Sequence, residues 1–343
     1  MSRRLSLIIL LFLLSACQST QKDSSSAVTK ITKGPERMRI ALGSCNDQEK
    51  DQSFWAKILT KKPDLWIGMG DNVYADTRNP NKLASTYEKL MNNKYYKHFA
   101  EKVKISGTWD DHDYGENDAG KDFPIKSQSR ESFWNFIRVP ETSELRSQDG
   151  IYRAENYRVG TSLVRILYLD ARSFRDPLHK NSKGEYLTTD GDVLGQKQWF
   201  WLEKQMSEVG IAALIVVSGT QFLPQEHRFE KWANFPKSRN RLLKAFERSN
   251  ARIKLILTGD RHFAEFSKFV FEDGTQLTEI TSSGMTHSYL AAKENNKYRI
   301  GSLWPKTNFA TLDFYEDQIG EIRAHAEIVD MKTTKSVSSI DLP

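Results

Sequence analysis

Four apolar runs in this sequence stop abruptly, and each stops at a cluster of small and polar residues rich in acids. "MRIAL" runs into "GSCND", "DLWIGM" into "GDNVYAD", "VKISGTW" into "DDHDYGENDAG", and "IKLILT" into "GDRHFAE". Runs this short and this apolar read as buried strands rather than helices. Segments with helical spacing lie between them: "FWAKIL", "YEKLMNNKYYKHFAEK", residues 126–138 with Phe133, Trp134 and Ile137 on one face, "GQKQWFWLEKQM" and "RNRLLKAFERS". "SLVRILYLD" and "AALIVVS" add two further strands, and "FSKFVF", "LTEITS", "NFATLDFY" and "EIRAHAEIV" alternate like a strand meander. Strands alternating with helices predict an α/β architecture in which helices cover the sheets. Ligands in such folds gather beyond the carboxyl ends of the strands, which is where the four clusters fall.

If the clusters converge, they pool Cys45, Asp47, Asp71, Asn72, Tyr74, Asp111, His112, Asp260 and His262. So many carboxylates in one crevice cannot all stay ionised without counter-charge, so either several protonate or cations sit among them. Mixed thiolate, phenolate, carboxylate and imidazole donors suit a transition metal such as trivalent iron, whereas all-oxygen portions suit calcium or magnesium. Asp71 is placed to bridge two metals. Paired metals are a device for phosphoryl transfer, and His112, flanked by acids, is a candidate donor of a proton to the leaving alkoxide. A lone "GD" after a strand is more often a turn or helix cap; the weight lies in four clusters at one topological position.

The N-terminus reads differently. "MSRRLSLIILLFLLSAC" has two arginines, an apolar run too short for a membrane span, and small residues before a cysteine, the layout of a secretory signal. "LSAC" is similar to a bacterial lipobox, which makes Cys17 the expected lipidation site and residues 1–16 the removed signal. Gln18 after the cysteine fits sorting to the periplasmic face of the outer membrane or the cell surface rather than retention at the inner membrane. Residues 17–36, rich in Ser, Thr and Lys, then form a flexible tether, residues 37–330 the folded domain, and residues 331–343 a C-terminal tail. Cys45 is left as the one unmodified thiol of an exported chain, without a disulfide partner, and so needs another reason to be there. The formal charge of +6 is scattered rather than clustered and gives no nucleic-acid patch.

Nine segments in order, "LGSCND", "GDNVYAD", "TWDDHDYGENDAG", "LYLDARSFRDP", "LGQKQWFWLEKQM", "SGTQFLP", "WANFPKSRNRLLKAF", "LTGDRHFAEFS" and "TSSGMTHS", resemble the PhoD-like (alkaline phosphatase D) family of the calcineurin-like metallophosphoesterases. The resemblance implies a four-layer α/β/β/α sandwich of two mixed sheets flanked by helices, with a di- or trinuclear metal centre of ferric iron and calcium or another divalent cation. It implies hydrolysis of phosphomonoesters, phosphodiesters or both by a metal-activated water. The alternatives are a dedicated, phospholipase D-like diesterase of the cell envelope and a non-catalytic metal-binding lipoprotein.

By the same resemblance Asp71 matches the bridging aspartate, Tyr74 the iron-binding tyrosine, Asp111 a metal ligand and His112 the proton donor or phosphate contact. "GDRH" keeps His262 of the terminal motif and puts Asp260 where the first histidine stands. The usual first motif reads "SCN", which leaves Cys45 to supply that ligand as a thiolate, with Asp47 assisting and Asn72 beside the metals and the substrate. A separate histidine motif has no clear counterpart, and Gln221 or His227 is left to stand in; His287 faces the site or is structural. Arg172 and Arg175 either clamp phosphate, Arg172 with a catalytic role, or form salt bridges to Asp170 or Asp176. The expected partners are a phosphate-ester substrate and, through the lipid anchor, a membrane. No protein partner and no specific nucleic acid is expected.

Overall fold

The computed structural model describes Lys33–Pro343, so the expected signal segment, Cys17 and most of the tether lie outside the described residues. Three of the four apolar runs become neighbouring parallel strands, β1 (Arg37–Gly43), β2 (Leu65–Met69) and β3 (Lys104–Thr108). Their register sets Gly43 beside Gly68 and Gly68 beside Gly107, so the carboxyl ends lie level at one edge. Helices α1 (Phe54–Thr60), α2 (Pro80–Met91) and α3 (Lys94–Ala100), the single turn α4 (Asp111–Tyr114) and α5 (Lys126–Phe136) accompany them. The continuous helix expected over residues 87–102 is broken in two. Asn93 leaves the helical conformation and its side chain accepts from the N–H groups of Tyr95 and Tyr96, capping α3 afresh.

A second sheet is built from β4 (Arg153–Val159), β5 (Ser162–Tyr168), β6 (Ile211–Val217), β7 (Ile253–Thr258), β8 (Ala264–Val270), β9 (Gln276–Ser282) and β10 (Arg299–Trp304). Helices α6 (Gly195–Ser207) and α7 (Pro236–Arg248) pack on its outer face. The chain then returns to the first sheet as β11 (Asn308–Glu316), β12 (Ile322–Asp330) and β13 (Ser336–Leu342). The strand orders are β13-β12-β11-β1-β2-β3 and β10-β8-β9-β7-β6-β5-β4, both mixed. Residues 331–343, expected as a tail, instead carry β13, which pairs antiparallel with β12 and extends the sheet at its edge.

Alternation along the strands explains the layering. Ile40 and Leu42 of β1 meet Ile215, Leu255 and Leu257 of the second sheet in one core, while Ala41 turns outward to the helices. On the far side Leu214, Val216 and Ile256 face Trp199, Leu202, Leu242 and Phe246 of α6 and α7. Strands buried on both faces must be apolar throughout, which is how these runs read. Each fully buried Leu or Ile contributes about 1.5–3 kcal/mol. The result is a four-layer α/β/β/α sandwich of two mixed sheets flanked by helices.

Candidate metal centre

The loops that leave β1, β2, β3 and β7 meet beyond the carboxyl ends of the two sheets. They carry non-glycine residues held in the left-handed region: Cys45 (φ 60°), Asp71 (φ 48°), Asp76 (φ 41°), Asp118 (φ 57°), Asp260 (φ 67°) and His262 (φ 56°). Such backbone is costly and collects at functional sites. Two glycines make the close approach of the sheets possible. A Cβ on Gly70 would lie 2.4 Å from that of Asp110, and one on Gly219 2.5 Å from the Asp110 carboxyl carbon.

At the centre Asp71 is buried, and its Oδ1 has no hydrogen-bond partner. Its Oδ2 lies 3.4 Å from Cys45 Sγ and 3.3 Å from the Tyr74 hydroxyl, which is itself 3.3 Å from His262 Nε2. Ligand atoms of Cys45, Asp71 and His262 all lie within 4.8 Å of one another, and so do those of Asp71, Asp111 and His112. Asp71 belongs to both groups. Burial pushes its carboxyl well above the usual range, helped by the charges of Cys45 and Asp111, and burial likewise raises the Cys45 thiol and the Tyr74 phenol. Asp260, in the loop after β7, is pushed up to about 6 by burial. Burial also pushes Asp111 upward, but the charges of Arg172 and His112 and the N–H of Asp118 outweigh it and hold it at about 2. His112 would be lowered by burial; its 2.8 Å contact from Nδ1 to Asp76 Oδ1 and the charges of Asp71 and Asp111 raise it to about 10.

The family model of the PhoD-like phosphatases matches residues 40–334, almost the whole described domain. The chain belongs to the PhoD-like phosphatase family. As a member it is a hydrolase of phosphoric esters. Solved structures agree on the fold: the structure of PhoD matches with a TM-score of 0.67 at 16% identity, over 90% of this chain and 72% of that one. A purple acid phosphatase, PPD1 from yellow lupin (Lupinus luteus) seeds, matches with a TM-score of 0.58 at 12% identity, over 90% of this chain and 54% of that one. GAP50, described as the anchor in the inner membrane complex of Plasmodium, matches with a TM-score of 0.56 at 11% identity, over 89% and 88%. No curated protein sequence matches the chain.

The donor set fits the metal centre that a PhoD-like phosphatase requires. An unpartnered buried carboxylate oxygen, a buried thiol and an imidazole converge where apolar packing offers nothing to satisfy them. His287 stands beside this set, its ring 4.4 Å from that of His262 and 5.2 Å from that of Tyr74. Other expected residues are elsewhere or otherwise engaged. Asp47 caps the N–H of Glu49 at 2.9 Å and is in neither ligand group. The Asn72 amide is turned back onto the sheet, donating to Thr108 O at 2.9 Å and Asp113 Oδ2 at 2.5 Å. Gln221 is buried on Glu265 and Thr281, and His227 is buried with both ring nitrogens unpartnered and in neither ligand group.

The two arginines are also spent inside the protein. Arg172, 1% exposed, donates from Nε to Asp110 Oδ1 at 2.6 Å and from a terminal nitrogen to Glu230 at 2.8 Å. Arg175 lies 2.9 Å from the other Glu230 oxygen. The expectation of a phosphate clamp is therefore corrected, because the guanidinium that would grip substrate already neutralises buried carboxylates. The expected salt bridges to Asp170 and Asp176 are not made either: the Asp170 carboxylate accepts from Trp109 Nε1 and from backbone N–H groups of Ile151, Arg172 and Ser173, and Arg175 reaches only the Asp176 backbone carbonyl, at 2.9 Å, while the Asp176 carboxylate meets Lys121.

Three residues that sequence reasoning passed over complete the site. Asp76 orients His112. Ser283 Oγ lies 3.0 Å from Cys45 Sγ and accepts from the His262 N–H at 2.7 Å. Asp113 binds the loops after β2 and β3 together. Asp76 and Asp113 were visible as acids within the quoted clusters; Ser283, from the loop after β9, lay within the quoted "TSSGMTHS" but as a serine among small polar residues pointed to no ligand role.

Proposed function

We propose that this chain hydrolyses phosphomonoesters, phosphodiesters or both at a two-metal site built from Cys45, Asp71, Tyr74, Asp111 and His262. The single observation that carries the reading is that Asp71, with an unpartnered buried oxygen, is shared by two groups of convergent ligand atoms. Thiolate, phenolate and imidazole on the Cys45 side favour ferric iron, and carboxylate oxygens on the Asp111 side favour calcium or another divalent cation. A pair held there would supply a water of lowered pKa and counter-charge for the phosphate oxygens.

The chain's own residues supply the rest. Asp76 fixes His112 through Nδ1, leaving Nε2 to carry a proton toward the leaving oxygen. Ser283 bonds to Cys45 and to the backbone of His262, coupling the β1 and β7 loops. Arg172 acts indirectly, as a counter-charge that keeps the Asp110–Asp111 turn in place.

The fold alone does not establish catalysis, and GAP50, which shares it, is described as an anchor. Retention of the convergent donors is what favours an enzyme here. The test is turnover of para-nitrophenyl phosphate and its bis-ester, with and without chelator, alongside elemental analysis of the isolated protein. Chelator-sensitive hydrolysis of either is expected; hydrolysis of neither by metal-loaded protein ends this reading.

Export as a lipoprotein with Cys17 acylated, held at the periplasmic face of the outer membrane or at the cell surface, is part of the same proposal. Its support is the "LSAC" sequence after the apolar run. Mass spectrometry of the N-terminal peptide decides it, and an unmodified Cys17 or a retained residue 1–16 segment would contradict it.

A further inference from the structure

The cavity above the ligand cluster measures about 640 Å³, far more than one phosphate group fills. Asp111, His112, Asp260 and His262 line one part of it, and a further wall carries Lys180, Lys183 and Arg228 beside the acid Glu230; Asp118 and Arg261 also line the cavity. That wall comes from two segments. A small hairpin closed by a bridge between Lys180 and Tyr186 carries Lys183 at its turn, and the Tyr186 N–H bonds to Arg228 O at 3.1 Å, joining the hairpin to the segment Arg228–Phe229. The Phe229 ring has the Arg228 guanidinium 5.0 Å from its centre and that of Arg261 4.4 Å from it. Lys180 lies 4.4 Å from the centre of the Tyr186 ring.

The pairing of these cations is uneven. Lys180 meets Asp118 at 3.4 Å and Arg261 meets Glu294, so both are neutralised within the wall. Lys183 and Arg228 are exposed, line the cavity, and have no carboxylate partner among the described residues. Two uncompensated cations lining one cleft, Arg228 against the Phe229 ring and Lys183 at the hairpin turn, attract a second negative charge. An aromatic or sugar ring bridging the two ends would lie along Tyr186 and Phe229.

We propose that Lys183 and Arg228 form a second anion subsite, and that the favoured substrates are phosphate esters whose leaving group carries a further anionic group. This rests on the phosphoesterase reading above for the position of the scissile phosphate. A plain ester leaves the subsite empty; a leaving group with a carboxylate or a further phosphate fills it.

The test uses an isosteric pair, para-carboxyphenyl phosphate and para-carbamoylphenyl phosphate. The neutral carbamoyl compound has the better leaving group, so a preference for the carboxylate cannot come from leaving-group chemistry. Metal-loaded protein is expected to favour the carboxylate about tenfold in kcat/KM, a preference that shrinks as salt is added. The corresponding benzyl phosphonates, which are not hydrolysed, should show the same ordering in calorimetric Kd. In the Lys183→Ala/Arg228→Ala variant, whose changes are both exposed, the ordering should fall to within about threefold. Equal binding of the two phosphonates to the unaltered protein, or a preference that survives in the double variant, overturns the subsite. Failure of the phosphoesterase reading has a different signature: neither para-nitrophenyl phosphate nor its bis-ester is hydrolysed while the phosphonate ordering persists.

Discussion

The carboxylate of Asp113 accepts hydrogen bonds from the backbone N–H groups of Asp71 at 3.1 Å and of Asn72 at 3.0 Å, across two separate strand-end loops. It also accepts from the Asp110 N–H at 2.7 Å. One buried side chain therefore sets the spacing between Asp71 and Asp111. Groups that orient ligands from behind typically change metal affinity or activity ten- to a hundredfold when replaced. Asp113→Asn keeps the shape and loses acceptor capacity. We expect kcat/KM to fall by about that factor and metal content at limiting supply to drop with it. Elemental analysis beside kinetics checks this; a loss of activity at full metal content would deny Asp113 the positioning role.

Asp71 is a buried acid with an unsatisfied oxygen, so in metal-free protein it is a liability that the metals relieve. Asp71→Asn should raise the stability of metal-free protein, by about 1–2 kcal/mol, while removing turnover and the stabilisation that added metal gives. Thermal unfolding with and without metal measures both. A variant destabilised in the metal-free state would show that the carboxylate is already satisfied without cations.

The fold was legible because strands buried on two faces leave unbroken apolar runs, and the site was legible because its acids follow those runs directly. The misses have physical reasons. In β4 only the two ends of the strand are buried and the residues between alternate exposed and half-buried, and β10 is half exposed, so neither shows as an apolar run. β13 alternates weakly at the edge of a sheet. The break between α2 and α3 hangs on the conformation of Asn93, which periodicity does not register. Arg172 reads from sequence either as a substrate clamp or as the partner of a nearby acid, because its actual partners Asp110 and Glu230 lie 62 and 58 residues away.

The edges of the two sheets are tied by Glu155 of β4, which accepts from Ser106 Oγ at 2.6 Å and Lys104 Nζ at 2.8 Å, both of β3. Burial pushes its carboxyl up, but Arg153, Lys104 and Ser106 outweigh burial and lower it from 4.5 to about 2. A carboxyl held lower in the folded than in the unfolded chain gives stability that is complete above the unfolded value. That stability is lost as pH falls toward the folded one. Between pH 4.5 and about 2, Glu155 therefore removes of the order of 3 kcal/mol. Glu155→Gln should be less stable than the unaltered protein at neutral pH and lose less on acidification through this window. Urea unfolding at a series of pH values reads the slope, and parallel slopes would show that Glu155 is not the group responsible.

Arg172 separates a structural charge from a substrate contact. Its guanidinium neutralises Asp110 and Glu230 in a region closed to solvent, and removing one partner of a buried ion pair costs about 3–5 kcal/mol because the others stay charged and unpaired. Arg172→Ala should therefore lower unfolding stability by that amount. Arg172→Lys should recover only part, since an ammonium cannot span Asp110 and Glu230 as a planar fork does. A phosphate clamp predicts the reverse pattern, a raised KM in a protein of unchanged stability. Denaturant unfolding and steady-state kinetics on the same preparations distinguish the two, and the burial of Arg172 behind Asp110 makes the stability loss the expected result.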